Sequence, residues 1–242
     1  MSVINKLFKA KNTQPFCTAV IVAAGNSQRM GRDKILMPLG DRPVIAHTLS
    51  AFQASDRIDE IIVVTRYESL QTIADICAEY GITKTSKVVR GGRTRAESSL
   101  AGVLEADERA TVIAIHDGAR PFPTPMLIER VIDAARENGA AAPAVAPTDT
   151  VRILNGRGTV VSTPDRNNVA LMQTPQAFDA ELIKDALSRA AERKLSMTDD
   201  CSAVEAVGGR IAVVAGERKN LKLTSAEDVY LAERFLAERG GV

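Results

Sequence analysis

Short apolar runs alternate along the chain with longer stretches in which apolar residues recur at helical spacing. The runs Thr18–Ala23, Glu60–Thr65, Lys87–Val89, Thr111–His116, Ala141–Ala146 and Ile211–Ala215 are mostly rich in Val, Ile and Ala, without strict alternation. Strands covered by helices on both faces read this way. Helices are predicted between them at Pro43–Gln53, Ser69–Tyr80, Arg93–Ala106, Pro125–Asn138, Ala180–Arg193 and Ser225–Glu238. Pro43 and Pro125 suit a first helical turn, and Gly81 suits a helix C-terminus. The alternation predicts an α/β fold, a doubly wound and mostly parallel sheet.

One segment breaks this rhythm. Between Pro147 and Phe178 there is no helical period, only two short β-like pieces, Thr150–Leu154 and Thr159–Thr163, around Asn155-Gly156-Arg157-Gly158. They predict a hairpin closed by a tight Asn-Gly turn. A two-stranded ribbon buries little by itself. The segment, about 147–178, therefore reads either as a surface excursion or as a protruding arm that packs against a second subunit. Insertions of this length usually have a function, which favours the arm.

A length of 242 residues fits one large domain more readily than two small ones. The net charge of +1 supplies no overall field for nucleic acid or an anionic membrane, so anion binding must come from basic residues placed locally. Aromatics at 4%, with no Trp, argue against a stacking platform for single-stranded nucleic acid. Cys17, Cys77 and Cys201 are scattered and odd in number, which suits a reducing cytoplasm and apolar burial. Lys6, Lys9 and Lys11 before the apolar run Cys17–Gly25 faintly resemble an export signal, but that run also reads as a buried strand. No stretch approaches the ~18 apolar residues of a membrane span.

Three clusters follow strands, where open α/β sheets bind their ligands. The first is Ala23-Ala24-Gly25-Asn26-Ser27-Gln28-Arg29-Met30-Gly31, with Lys34 beyond it. Small Ala23, Ala24 and Gly25 let a ligand approach backbone N–H groups, and Arg29 and Lys34 suit phosphate oxygens. The alternative is a glycine turn with ordinary surface charges. The second, Gly91-Gly92-Arg93-Thr94-Arg95-Ala96-Glu97-Ser98, leaves room at Gly92 for a flat base and places Ser98 to bond base or ribose, or else simply caps a helix. The third is His116-Asp117-Gly118-Ala119-Arg120-Pro121. Asp117 among phosphate-binding cations suits a divalent metal; alternatively it caps the next loop. Arg29, Lys34, Arg95 and Arg120 come from three strand ends that a folded sheet would bring together, as a triphosphate requires.

Ala-Ala-Gly with Arg29, Met30 and Lys34 resembles the signature of the sugar-phosphate nucleotidyltransferases, which have a Rossmann-like fold. The further pieces Gly91-Gly92, His116–Pro121, Asp149-Thr150-Val151, Asp165-Arg166, Gln173-Thr174-Pro175-Gln176, Thr198-Asp199-Asp200 and Lys222-Leu223-Thr224 are, in this order, similar to 2-C-methyl-D-erythritol 4-phosphate cytidylyltransferases. The likeness runs from about Thr18 to Phe235. It implies CTP bound by Ala23–Gly25, with Gly92 and Ser98 near base and ribose and Arg95, Asp117 and Gly118 in the nucleotide site. It implies Arg29, Lys34, Arg166 and Lys222 around the reacting centre, and Mg²⁺ at Asp117. Arg120, Thr150, Arg166, Thr198 and Lys222 would gather the polyol phosphate. A homodimer is implied, each arm completing the partner's site. Asp33 stands where the resemblance favours Pro, and Arg93 where it favours an acid that would contact ribose. No fused second domain is expected.

The acceptor's phosphate oxygen is already anionic, so attack on the α-phosphorus of CTP needs positioning and charge neutralisation, not a general base. A sister enzyme acting on ribitol 5-phosphate would share most of these motifs. A non-catalytic nucleotide sensor would have little reason to keep Arg29, Lys34, Asp117, Arg166 and Lys222 together. A dinucleotide oxidoreductase lacks its glycine fingerprint here.

Overall fold

The computed structural model of the chain describes residues 15–25 and 33–240; Arg29 and the rest of its loop lie outside the described residues. The elements are β1 Phe16–Val22, β2 Pro38–Leu39, β3 Arg42–Pro43, α1 Val44–Gln53, β4 Glu60–Thr65, α2 Leu70–Glu79, β5 Thr85–Arg90, α3 Arg95–Leu104, β6 Ala110–Asp117, α4 Pro125–Asn138 and β7 Ala140–Val145. There follow β8 Ile153–Leu154, β9 Val160–Ser162, β10 Leu171–Met172, β11 Gln176–Asp179, α5 Ala180–Glu192, α6 Asp200–Ala206, β12 Ala212–Ala215 and α7 Ala226–Gly240. All the predicted strands and helices are present, with ends shifted by a few residues. Pro125 opens α4 as predicted, whereas Pro43 stands just outside α1 as its cap residue.

β5, β4, β1, β6, β11 and β7 lie side by side in that order, and β7 pairs also with β10 and β12. All of these pairings are parallel except those of β10 and β11. The chain runs outward from β1 through β4 to β5, then returns to β6 on the other side of β1. The strand order therefore reverses at β1, the switch point beyond which doubly wound sheets open a crevice. Successive residues of β1 and β4 point to opposite faces. Ile21 and Val63 pack with α1, α2 and α4 through Leu49, Phe52, Ile73 and Val131. Val20 and Val64 pack on the other face with α3, α5 and α6 through Val103, Ile183 and Val204. Burying each such side chain contributes ~1.5–3 kcal/mol. A smaller cluster of Leu39, Phe122, Leu223 and Ala232 docks α7 and the β2–β3 ribbon near the end of β6.

Two corrections concern the irregular segment. The excursion contains the predicted hairpin, β8 with β9, but the sheet takes the chain back at Leu171, so its last part is β10 and β11 inside the main sheet. The hairpin turn also differs. The Asn155 carbonyl accepts from Gly158 N at 3.0 Å, and the residue that takes positive φ, at 77°, is Gly158. This is a longer loop with a glycine bulge, in place of a two-residue Asn-Gly turn. The Asn155 side chain stabilises it, accepting from the amides of Arg157 at 2.9 Å and Thr159 at 3.0 Å.

Candidate active site

A cleft of about 390 Å³ opens beyond the carboxyl ends of β1, β4, β5 and β6. Ala23, Ala24 and Gly25 form one wall and Gly91 and Gly92 another, with Asp117 lining it at the end of β6. Lys34, Arg66, Arg90, Arg93, Arg95 and Lys222 also line it, against the acids Glu68 and Asp117. The space is thus strongly cationic in a chain of nearly zero net charge, as a polyanionic ligand requires.

Asp117 organises the charges. Its Oδ1 accepts from Nε and Nη2 of Arg95, both at 3.2 Å. Its Oδ2 lies 2.8 Å from Lys222 Nζ and 3.7 Å from Arg120 Nε. Burial alone would push this carboxyl up, but the charges of Arg95, Lys222 and Arg120 reverse that and hold it well below the usual carboxylate range. Among the described residues Asp117 caps no loop through its side chain; it works as the anion of a cationic cluster. Arg95 carries a second anion, with Nη1 2.7 Å from Oδ2 of the fully buried Asp200.

The glycine pair makes its closest approaches inside the protein. A Cβ on Gly91 would stand 2.6 Å from Ala24 Cβ and 2.8 Å from Ser98 Oγ, and one on Gly92 would strike Glu97. Both readings of this loop hold in part. Thr94 caps α3, accepting from Glu97 N at 3.1 Å, and Glu97 reaches back to Arg93 N at 2.7 Å. Ser98 is buried, accepts from Gly92 N at 3.2 Å and donates to Thr94 O at 2.9 Å, so its hydroxyl already braces the loop. On the opposite wall the Ala23 amide donates to Val64 O at 2.7 Å, which removes it from the donors expected for a ligand.

Behind the cleft the Gln-Thr-Pro-Gln motif ties the site together. Gln173 holds both backbone groups of Glu217, at 3.2 Å for N and 2.9 Å for O. Thr174 Oγ1 accepts from Asp117 N at 3.1 Å and lies 3.1 Å from His116 Nδ1. His116 Nε2 lies 3.1 Å from the Arg120 carbonyl, to which only an N–H can bond. The imidazole is therefore protonated on Nε2, and the Thr174 hydroxyl donates to Nδ1. Burial pushes the His116 pKa down to about 4, which keeps this tautomer neutral. Gln176 accepts from the amides of Asp200 at 3.1 Å and Cys201 at 3.0 Å and donates to Asp199 at 2.8 Å. In the sequence these glutamines carried only a weak signal. Their work depends on neighbours dozens of residues away.

Residues 17–238 match the family described as 2-C-methyl-D-erythritol 4-phosphate cytidylyltransferase. The chain belongs to this family. A relative of that description from Halalkalibacterium halodurans is 39% identical over 92% of this chain and 97% of its own length. Another, from Clostridium botulinum, is 36% identical over 90% and 96%. The crystal structure of 4-diphosphocytidyl-2C-methyl-D-erythritol synthase from Anaerococcus prevotii superposes with a TM-score of 0.83 at 34% identity, covering 93% of this chain and 97% of that one.

The family's motifs do not all meet in one place. Ala23, Ala24, Gly25, Lys34, Gly92, Arg95, Ser98, Asp117 and Lys222 share the cleft. Gly118 stands beside it, its amide donating to Val22 O at 2.9 Å. Arg120 lies behind the lining, donating through Nη1 to Asn220 O at 2.7 Å. Thr150 and Arg166 lie on the excursion, exposed and outside the lining, with Arg166 Nη1 3.4 Å from Thr148 O. Thr198, also exposed, stands before α6 and contacts Ser202 at 2.8 Å. Sequence reasoning missed Arg66, which lines the cleft and pairs with Asp33, the residue standing in the place of the family's Pro. Cys17, Cys77 and Cys201 are all buried and unpaired. Among the described residues no helix is long and apolar enough to cross a membrane.

Proposed function

We infer that the chain transfers the cytidylyl group of CTP to 2-C-methyl-D-erythritol 4-phosphate, releasing pyrophosphate and forming 4-diphosphocytidyl-2-C-methyl-D-erythritol for isoprenoid precursor synthesis. One observation carries this reading beyond family membership: a cationic cleft at the sheet's switch point, centred on Asp117 with Lys34 and Lys222 on its lining. CTP would lie with its base and ribose against the Gly91-Gly92 loop and its phosphates towards Lys34 and Arg29. The acceptor's phosphate, already anionic, attacks the α-phosphorus, and the flanking cations neutralise the charge that gathers there.

Asp117 would hold a divalent cation. It is a single carboxylate, and the described residues contain no group of three or more acidic, His or Cys side chains placed for a metal. A single carboxylate suits Mg²⁺, which binds through one or two carboxylates and completes its shell with water and substrate phosphates; since Arg95 already holds Oδ1, the ion would take Oδ2 beside or in place of Lys222. Bound there, it would supply charge neutralisation between the phosphates.

Arg166, Thr150 and Thr198 would serve an acceptor site completed by a second copy of the chain. The excursion supports this, since Ile153, Leu154, Val160 and Val161 are all exposed on the hairpin, an apolar surface suited to burial against a partner. Unpaired buried cysteines support a reducing cytoplasm. The test is pyrophosphate release by the purified protein with CTP, Mg²⁺ and either methylerythritol phosphate or ribitol 5-phosphate. Turnover with the first and little with the second is the expected result. The reverse preference would reassign the acceptor, and binding of CTP without turnover of either would make the chain a nucleotide sensor.

A further inference from the structure

Asp200 is 1% exposed and belongs to none of the groups assigned above to CTP or its acceptor. It opens α6, and its backbone amide is held by Gln176 at 3.1 Å, so its place is fixed from the sheet side. Its carboxylate lies 2.7 Å from Arg95 Nη1, the cation that meets it among the described residues. Arg95 opens α3, and its other two guanidinium nitrogens, Nε and Nη2, both meet Oδ1 of Asp117 at 3.2 Å. Arg95 is thus held between two carboxylates, by hydrogen bonds to Asp117 and an ion pair with Asp200, while it lines the cleft.

We propose that Asp200 is a positioning residue for the reaction: it pins Arg95 across the gap between α3 and α6, and Arg95 in turn fixes Oδ1 of Asp117. The two oxygens of Asp117 then have different duties. Oδ1 is anchored to the fold through Arg95. Oδ2, 2.8 Å from Lys222 Nζ, is the side that steers the ammonium, which has three N–H donors and can hold Oδ2 with one while it offers another to a substrate oxygen. Without the anchor the carboxylate is free to turn, and Lys222 loses the fixed partner that aims it. Arg95 also stands between two anions. Removing the charge of Asp200 leaves more of its positive charge to act on the triphosphate, so orientation and nucleotide attraction should change in opposite senses.

The proposal rests on the cytidylyltransferase reading, which unmodified enzyme checks independently by releasing pyrophosphate. The test is a double-mutant cycle of Asp200→Asn and Arg95→Met, read by steady-state kinetics and by thermal melting without ligands. Asp200→Asn, which keeps the shape, should lower kcat by about tenfold, as loss of an outer supporting partner commonly does, with KM for CTP unchanged or lower. In the Arg95→Met background the same change should cause no further loss of kcat. It should cause no further fall in melting temperature there, because burial pushes the Asp200 carboxyl up and Arg95 is the main group holding it ionised. Should Asp200→Asn alone fail to fold, the double variant compared with Arg95→Met by melting and by kinetics still decides. The proposal is overturned if kcat of Asp200→Asn stays within twofold of the unmodified enzyme, if KM for CTP rises in step with the fall in kcat, or if the two losses simply multiply.

Discussion

Replacing Gln176 by alanine should loosen the site from behind without touching the cleft. The side chain is almost completely buried and satisfies two amides in the first turn of α6, those of Asp200 at 3.1 Å and Cys201 at 3.0 Å, while donating to Asp199 at 2.8 Å. A helix of seven residues has little stability of its own and depends on such contacts. Each buried amide left unpaired costs ~1–3 kcal/mol. Water can reach the half-buried Asp199, so its lost bond adds little. At about 1.5 kcal/mol each, towards the lower end of that range, two amides give about 3 kcal/mol, and at ~2–4 °C per kcal/mol for a chain of this size the melting temperature should fall by roughly 6–12 °C. Because the first turn of α6 carries Asp200, kcat should fall as well at temperatures where the variant is still folded. Calorimetry together with pyrophosphate release at 20 °C reads both effects. A melting temperature within 2 °C of the unmodified protein would refute the claim that this glutamine holds α6 in place.

Lys34→Ala should lower kcat by ~10²-fold, comparable to losing one preorganised oxyanion donor, and should leave the melting curve unchanged; near-normal turnover would remove Lys34 from the reacting centre. Mixing Arg166→Ala subunits with Lys34→Ala subunits should restore part of the activity if the arm serves its partner's cleft, whereas no restoration after verified subunit exchange would place both residues in one chain's site. His116 gives a pH signature. Its pKa is depressed from 6.5 to about 4, so the unfolded chain takes up a proton that the folded chain resists. The associated stability is fully present above pH 6.5 and is lost as the pH falls towards 4, to a total of about 3 kcal/mol at ~1.36 kcal/mol per unit. His116→Gln, which cannot titrate, should therefore lose less stability than the unmodified protein over that interval, and parallel losses in denaturant titrations would contradict the assignment.

The alternation of strand and helix, and with it the doubly wound sheet, is legible in the amino-acid order alone, because periodicity is local and long runs of Val and Ile declare burial on both faces. That order also marked the strand-end clusters around Gly25, Gly92 and Asp117, since glycine and charge after an apolar run are legible without knowing what lies opposite. Three things it left to the tertiary structure. β11 is only four residues long with no period of its own, and becomes a strand because β6 and β7 offer backbone partners on both sides. α6 is too short for a visible helical repeat and exists because Gln176 and Asp199 satisfy its first turn. The duties of the charged groups were decided last. Arg95 read as a phosphate ligand from its neighbours in sequence, and the fold also makes it the bridge between Asp117 and Asp200, far along the chain. Electrostatic roles follow from the nearest opposite charges in space, and in a sheet whose strand order differs from its chain order those come from distant segments.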